Sequence, residues 1–196
     1  MSQLAQRLAF TYDDYLEWEQ RQPERHEYVR GEVFAMAGTT DRHNEISGNC
    51  YTLLRQHLRG TPCRVYIADV KVRVDAADCG FYPDVQVTCA ESDRADRLAK
   101  RSPVLVVEVL SDSTASYDLG DKFAAYQQLD SLREYVLVDQ DRIRVQIYRR
   151  QDGQWWVDNI GPGGQLRLDS VDLDCPVEAL YEDLSEPLIP SPSSGG

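Results

Sequence analysis

The sequence predicts an α+β protein of the α/β/α-like kind, in which helices flank a central mixed β-sheet. Three observations support this class. Apolar residues recur at spacings of three and four in residues 43–58 and 115–129, as in amphipathic helices. Runs of β-branched and aromatic residues precede and separate these helices, and the second half is rich in hairpin patterns. Elements in this order fit helices packed against a sheet.

The chain begins with a short helix and a hairpin. Thr11 is a helix-capping residue followed by acids, and this helix must end before Pro23. Residues 26–36 predict two strands joined by a turn at 30–31. Residues 1–10 show no clear period, so we expect a loose N-terminal lead.

The first long helix is predicted at residues 43–58, with Thr40 or Asp41 as its cap. Its apolar face has members spaced by three and four residues: Ile46, Cys50, Leu53 and Leu54. His43 lies three residues before Ile46, which places it on the inward side where the helix starts.

Two strands and a charged loop follow this helix. Residues 63–68 and 70–74 are of alternating, strand-like type. In the loop at residues 91–102, acids are interleaved with four basic residues: Arg94, Arg97, Lys100 and Arg101. This mixed pattern favours a solvated loop over one that contacts DNA.

Two carboxylates stand in apolar, strand-like segments. Asp84 lies in the run 82–87, and Glu108 lies inside the run 103–110. Because burying a carboxylate costs free energy unless a cation meets it, we expect the two acids to lie on neighbouring strands and to share a cation. Asp84 alone also fits an acid at a strand edge, whereas Glu108 is harder to explain as purely structural.

The next helix, at residues 115–129, carries a lysine close to these acids. Its buried face is predicted to consist of Leu119, Phe123, Tyr126 and Leu129, with Lys122 on the helix surface at the margin of that face. Lys122 alone also fits a solvated lysine paired with Asp118 four residues earlier. Together with Asp84 and Glu108, it favours a functional site.

Asp84 and Glu108 predict a site for Mg²⁺ or Mn²⁺, because these ions prefer hard oxygen ligands and keep several waters. The backbone carbonyl of Val109 is a further candidate ligand. A dication at this place lowers the pKa of a bound water and offsets charge on a leaving oxygen. Lys122 would orient the attacking water or stabilise the transition state. These parts suffice to hydrolyse a phosphodiester.

The C-terminal part is rich in hairpins and ends in a polar tail. Strands are predicted at residues 134–139, 144–149 and 155–157, and a short helix near 176–184. The last residues are rich in Pro, Ser and Gly, so we expect them to be disordered. The predicted organisation is a lead (1–10), a single domain (11–184) and a tail (185–196).

Composition excludes several classes of protein. The net charge of −12 argues against a tight, non-specific DNA binder, but not against a nuclease with a local basic rim. No apolar run approaches the roughly 20 residues that span a bilayer, and no N-terminal signal pattern is present, so we expect a cytoplasmic protein. The five cysteines are odd in number and widely spaced, which predicts reduced, mostly buried thiols with neither a disulfide nor a zinc site.

The order of these motifs resembles the PD-(D/E)XK nuclease superfamily, which has the restriction-endonuclease-like fold. The resemblance depends on Pro83 with Asp84, followed by residues 108–110. More closely, the chain is similar to a bacterial restriction-endonuclease family that was formerly a domain of unknown function and is abundant in cyanobacteria. Over residues 11–183, the further matching pieces are residues 26–32, His43 with Asn44, residues 81–84, residues 107–111, Asp118 with Lys122 and Tyr126, and residues 134–139.

The resemblance implies a metal-dependent endonuclease that acts on DNA as a homodimer, for which the hairpin at residues 155–156 is a candidate interface. It adds Glu27 as an acid near the metal, and His43 as a group that reaches the scissile phosphate or a metal-bound water. Each also fits a structural role, Glu27 as a surface acid on a strand and His43 as a histidine bonded to a loop carbonyl.

One departure from the family pattern leaves other functions open. Leu110 stands where the superfamily usually has lysine, and in some branches the following helix supplies that lysine, as Lys122 would here. The alternatives are a catalytically weak or inactive interaction protein that keeps the nuclease fold, and a phosphodiesterase acting on another substrate.

Overall fold

The computed structural model describes residues 6–7, 10–36, 38–111 and 115–189. The strands are β1 (Gln6–Arg7), β2 (His26–Val29), β3 (Glu32–Ala35), β4 (Arg64–Ile67), β5 (Lys71–Val74), β6 (Cys79–Phe81), β7 (Val85–Thr88), β8 (Ala99–Lys100), β9 (Pro103–Leu110), β10 (Glu134–Asp139), β11 (Val145–Gln151), β12 (Gln154–Ile160), β13 (Gln165–Leu168) and β14 (Leu173–Pro176). The helices are α1 (Tyr12–Glu19), α2 (Asp41–His57), α3 (Glu91–Ala95), α4 (Ala115–Tyr117) and α5 (Phe123–Tyr126), with a π-helical segment (Asp118–Lys122) and 3-10 turns at Asp75–Ala77 and Val177–Tyr181.

Within the described residues, the strands form two six-stranded mixed sheets and one small hairpin. The first sheet has the order β1-β3-β2-β6-β5-β8, and the second has the order β12-β11-β10-β9-β7-β4. The predicted α+β class with helices flanking a mixed sheet is therefore confirmed, with the difference that the strands divide between two sheets. No helix in the described ranges is long and apolar enough to cross a bilayer.

Strand β9 is the centre of the second sheet and carries Glu108. It pairs antiparallel with β7, where Val85 lies opposite Val107, and parallel with β10, where Asp139 lies opposite Leu110. Its run of Val and Leu is buried on both faces, as expected for a strand between two neighbours. Asp84 immediately precedes β7, so the register brings it beside Glu108.

Helices α1 and α2 begin where the sequence predicts. Thr11 and Asp14 form a reciprocal capping box at the start of α1. The hydroxyl of Thr40 caps α2 by accepting the backbone N–H of His43 at 3.2 Å. The inward face of α2 buries Ile46, Cys50 and Leu54 as predicted, while Leu53 is only partly buried.

The hairpin of β2 and β3 is also confirmed. Arg30 and Gly31 both adopt positive φ angles, 50° and 85°, as the central residues of a tight two-residue hairpin turn do. Glycine tolerates this conformation without steric cost. The turn fixes the register of β2, the strand on which Glu27 lies.

The predicted helix at residues 115–129 differs from expectation in its middle. A π-helical turn replaces the regular α-helix between Asp118 and Lys122. The wider turn rotates Leu119 outward, where it is 40% exposed, and turns Lys122 inward, where it is 5% exposed. The predictions of a buried Leu119 and a surface Lys122 were therefore wrong, because both assumed the regular α-helical period.

The prediction of five reduced cysteines was also wrong. Cys63 and Cys89 form a disulfide, and the thiols of Cys50, Cys79 and Cys175 are free. The antiparallel register of β4 and β7 explains the pairing, because it places the two residues that flank these strands opposite each other, with Cα atoms 3.9 Å apart. A separation of 26 residues in the sequence contains no sign of that register.

The charged segment at residues 91–102 is more ordered than predicted. It contains α3 and β8, and two of its charged side chains are buried. The carboxylate of Asp93 accepts the backbone N–H groups of Arg101 and Ser102 at 2.9 and 3.1 Å. The ammonium of Lys100 donates to the backbone carbonyl of Asp93 at 2.7 Å. The segment is thus held by its own charges, and only part of it is solvated.

The predicted domain boundaries stay a prediction, but residues 185–189 contact the folded part. The backbone N–H of Ser185 donates to Glu45 at 3.0 Å, and that of Ile189 donates to the carbonyl of Asp141 at 2.8 Å. The predicted disorder of the tail therefore does not hold for these five residues. Residues 190–196 lie outside the described residues.

Candidate active site

The carboxylates of Asp84 and Glu108 meet at one end of the β7–β9 pair. The backbone N–H of Asp84 donates to Glu108 Oε2 at 3.4 Å, and that of Val109 donates to Asp84 Oδ2 at 2.7 Å. Glu108 is only 3% exposed, whereas the Asp84 side chain remains 20% accessible to solvent. One acid is therefore buried in the sheet, and its neighbour opens toward solvent.

Lys122 brings its ammonium group to the same place. Its Nζ lies 3.0 Å from Glu108 Oε1, 3.0 Å from Glu27 Oε1 and 3.5 Å from Asp118 Oδ1. A buried lysine requires such partners, because an unpaired charge in the interior is very costly. Lys122 is the last residue of the π-helical segment, and its ammonium group reaches Glu108 on β9.

Glu27 connects the first sheet with this site. Besides Lys122, its Oε1 accepts the backbone N–H of Tyr82 at 3.3 Å. This hydrogen bond fixes the segment that leads into Asp84. Glu27 is therefore buried beside the other acids, which differs from a surface acid on a strand.

His43 contacts the solvent-facing side of the acid pair. Its Nε2 lies 3.3 Å from Asp84 Oδ2, and its ring also hydrogen-bonds the backbone of Val109. Burial lowers the pKa of His43, but the hydrogen bond and negative charge of Asp84 outweigh burial, so that its pKa is raised above 6.5. The ring thus occupies the space next to two of the predicted metal ligands.

The site contains more carboxylate groups than cationic side chains. Burial raises the pKa of Glu108 well above its usual range, and the neighbouring charges of Asp118, Asp84 and Glu27 raise it further, while Lys122 opposes the shift. Burial lowers the pKa of Lys122, but Glu108 and Glu27 outweigh it and hold that pKa well above the ordinary value. Such a cluster attracts cations, because each added positive charge relieves repulsion among the carboxylates.

The donor atoms suit a hard dication without forming a complete cage. In the described ranges, no group of three or more His, Cys, Asp or Glu side chains is arranged to hold a metal ion. Mg²⁺, however, takes only one or two protein carboxylates and fills its remaining positions with water and substrate oxygens. Asp84 and Glu108 supply that number of carboxylates, with the carbonyl of Val109 close by, so the residues fit the ion by donor type.

The structure adds two residues to which the sequence assigned no role in the site. Tyr126 is fully buried, and its hydroxyl donates to Glu108 Oε1 at 3.3 Å. Asp118 contributes a third acid to Lys122. Their spacing was the available signal, because Asp118, Lys122 and Tyr126 follow one another at intervals of four residues.

Comparisons with known proteins give the family and the fold of the chain. The Uma2 family model, described as "Putative restriction endonuclease", matches residues 12–178. Two Synechocystis proteins are similar over most of their length. Uncharacterized protein slr1290 is 37% identical over 174 residues, 88% of this chain and 92% of that protein. Uncharacterized protein sll1609 is 32% identical over 149 residues, 75% and 84% of the two chains.

A solved structure shares the fold. It is the crystal structure of a "putative nuclease belonging to DUF820" from Anabaena variabilis, with a TM-score of 0.71 and 17% identity. The match covers 88% of this chain and 97% of that one, and it shows the restriction-endonuclease-like fold. Because the family match spans most of the chain, from residue 12 to residue 178, the chain belongs to the Uma2 family of restriction-endonuclease-like proteins.

Proposed function

We propose that this protein is a Mg²⁺- or Mn²⁺-dependent endonuclease that hydrolyses phosphodiester bonds in DNA. The observation that supports it most is the meeting of Asp84, Glu108 and Lys122, with the lysine Nζ 3.0 Å from Glu108 Oε1. Membership of the Uma2 family supports the same class of reaction. The proposal assigns the carboxylates of Asp84 and Glu108, with the carbonyl of Val109, as ligands of the ion.

When bound, the ion would polarise the phosphate, promote ionisation of the attacking water and offset charge on the leaving oxygen. The chain's own groups hold and orient the remaining parts. Lys122 is fixed between Glu27 and Glu108 at 3.0 Å from each, so its ammonium needs no reorganisation to face developing negative charge. A preorganised charge of this kind stabilises the transition state more than a mobile one.

His43 is assigned to the scissile phosphate or the attacking water. Its ring already points at Asp84 Oδ2 from 3.3 Å and contacts Val109, both of which are proposed ligands. A dication and the His43 proton therefore compete for the same oxygens. Once the ring is displaced from Asp84, its N–H faces the space in which a phosphate oxygen would lie.

The position of Lys122 also bears on the alternative functions. Leu110 replaces the usual motif lysine, which favoured a catalytically inactive interaction protein. Lys122, however, reaches Glu108 from the neighbouring helix and supplies the missing amine. This contact favours an enzyme over an inactive relative of the fold.

Two further predictions accompany this function. A homodimer would present two sites to the two strands of DNA, and the exposed edge strand β12, with Trp156 59% exposed, supports β12 as its interface. A cytoplasmic location would give access to DNA. Both stay predictions.

The test is cleavage of supercoiled plasmid and of single-stranded DNA with Mg²⁺ or Mn²⁺. We expect wild type to nick DNA, Asp84→Asn and Glu108→Gln to be inactive, and Glu17→Gln to match wild type, because Glu17 is an exposed acid on α1. Equal product from wild type and Glu108→Gln would identify a contaminant and overturn the proposal. Cleavage of small phosphodiesters but not of DNA would show that the enzyme is a phosphodiesterase with a substrate other than DNA.

A further inference from the structure

A cleft of about 500 Å³ opens beside the candidate active site. It lies at the carboxyl ends of the parallel strands β9 and β10, where Leu110 and Asp139 are paired. Its other walls come from the helical segment at Leu119 and from the β10–β11 turn, which contributes Arg142 and Arg144. Clefts at the carboxyl ends of parallel strands are frequent sites of ligand binding.

The cleft and the acid cluster share two elements of the fold, strand β9 and the π-helical segment. Leu110 follows Glu108 by two residues on β9, a distance of about 7 Å along an extended strand. Leu119 lies between Asp118 and Lys122 on the π-helical segment. A nucleic-acid strand whose phosphate meets a dication held by Asp84 and Glu108 would therefore have its next unit near the cleft.

Two cationic side chains of the cleft are available to an anion, although the whole chain has a net charge of −12. Its two acids are engaged: Asp139 Oδ1 accepts the backbone N–H groups of Asp141 and Arg142 at 2.9 and 3.2 Å, and Asp141 pairs with Arg42 at 2.6 Å. By contrast, Arg142 and Arg144 are exposed, and neither forms an ion pair within the described residues. Arginine side chains of this kind bind phosphate oxygens with charge-assisted hydrogen bonds.

The floor of the cleft is apolar. Leu110, Leu119 and Leu137 line it, and Leu119 is 40% exposed although it is a large apolar residue. The π-helical segment that contains Lys122 also contains Leu119. An apolar floor below two cationic side chains matches a nucleotide, which has a flat base and a charged phosphate.

We infer that this cleft binds the substrate nucleotide adjacent to the scissile phosphate, with its base or sugar against Leu110 and Leu119 and its phosphate on Arg142 and Arg144. This inference rests on the proposed function, because it assumes that the substrate is a nucleic-acid strand. It makes Arg142, Arg144 and Leu119 binding residues, separate from the groups that perform the chemistry.

The test measures binding rather than cleavage. Glu108→Gln protein, which is expected not to cleave, is titrated with a fluorescent single-stranded DNA oligonucleotide in the absence of divalent metal, and anisotropy gives the Kd at several salt concentrations. Adding Arg142→Ala and Arg144→Ala should weaken binding about tenfold or more and reduce the dependence of log K on log salt by one to two phosphate contacts, about 0.7 per contact. Leu119→Glu should also weaken binding.

The matched control is Arg55→Ala with Arg59→Ala. Both arginines are exposed, and Arg55 lies about 18 Å from His43 along α2. We expect the Kd of this control to stay within about twofold of the parent. Unchanged binding in the Arg142/Arg144 variant, or an equal loss in the control, would overturn the cleft assignment while leaving the proposed function intact. No binding by any protein would overturn both proposals.

Discussion

Lys122 is the residue that holds the site together, because it is the common partner of Glu27, Glu108 and Asp118. Each of these acids comes from a different part of the chain, and among the described residues none has another buried cation so close. Removal of one partner from a buried ion pair costs more than the pair contributes, since the remaining charges lose their compensation.

We therefore expect Lys122→Met to lower the free energy of unfolding by about 3–5 kcal/mol, measured by urea denaturation in EDTA. The double variant with Glu108→Gln should recover part of this loss, because one of the uncompensated acids is then neutral. If the losses in free energy of unfolding from Lys122→Met and Glu108→Gln simply add in the double variant, the two side chains do not interact, which would contradict the ion pair.

His43 gives a pH dependence whose sign follows from its surroundings. Its folded-state pKa is raised above 6.5 by Asp84, which more than offsets burial. A histidine whose pKa is higher in the folded state than in the unfolded state stabilises the fold when the pH is below the unfolded-state pKa. This contribution disappears as the pH rises through the folded-state pKa. In EDTA, the stability difference between wild type and His43→Asn should thus be largest near pH 6 and shrink toward pH 9. A difference that grows with pH would exclude the contact with Asp84.

At the scale of elements, the π-helical segment decides which side chains face the core. The sequence predicts the existence of this helix and its burial of Phe123 and Tyr126, because these follow the regular period. It does not predict the outward orientation of Leu119, since one extra residue in a turn leaves no mark in the pattern of apolar residues. For Lys122, the spacing of four residues from Asp118 and from Tyr126 was the available signal.

Stability measurements can confirm this turn. Leu119→Ala should change the free energy of unfolding by less than about 0.5 kcal/mol, because its side chain is exposed. Leu129→Ala should cost about 2–5 kcal/mol, because Leu129 is buried. Similar losses in both variants, measured by urea denaturation, would indicate a regular α-helix instead.

The pairing of β4 with β7 allows a second test at this scale. Protein purified without reductant, unfolded and alkylated should carry three labels, on Cys50, Cys79 and Cys175, and five labels after reduction. Mass spectrometry of the intact chain distinguishes three labels from five. Five labels before reduction would show that Cys63 and Cys89 face each other as thiols.

At the scale of the whole molecule, the fold follows from the sequence more directly than the site does. The strands, the capped helices and the proximity of Asp84 and Glu108 could be predicted, because they depend on local patterns and on two apolar strands that each carry one acid. The division into two sheets, the cleft and the position of Tyr126 could not, since they depend on register and on side chains distant in sequence.

The central claim is that Asp84 and Glu108 bind a dication, and calorimetric titration with Mn²⁺ tests it most directly. We predict that wild type binds Mn²⁺ and that Asp130→Asn, which changes an exposed acid, binds it equally. Asp84→Asn and Glu108→Gln should each lose the binding heat. Binding by Asp84→Asn that equals binding by wild type, or no binding by wild type, would contradict the account.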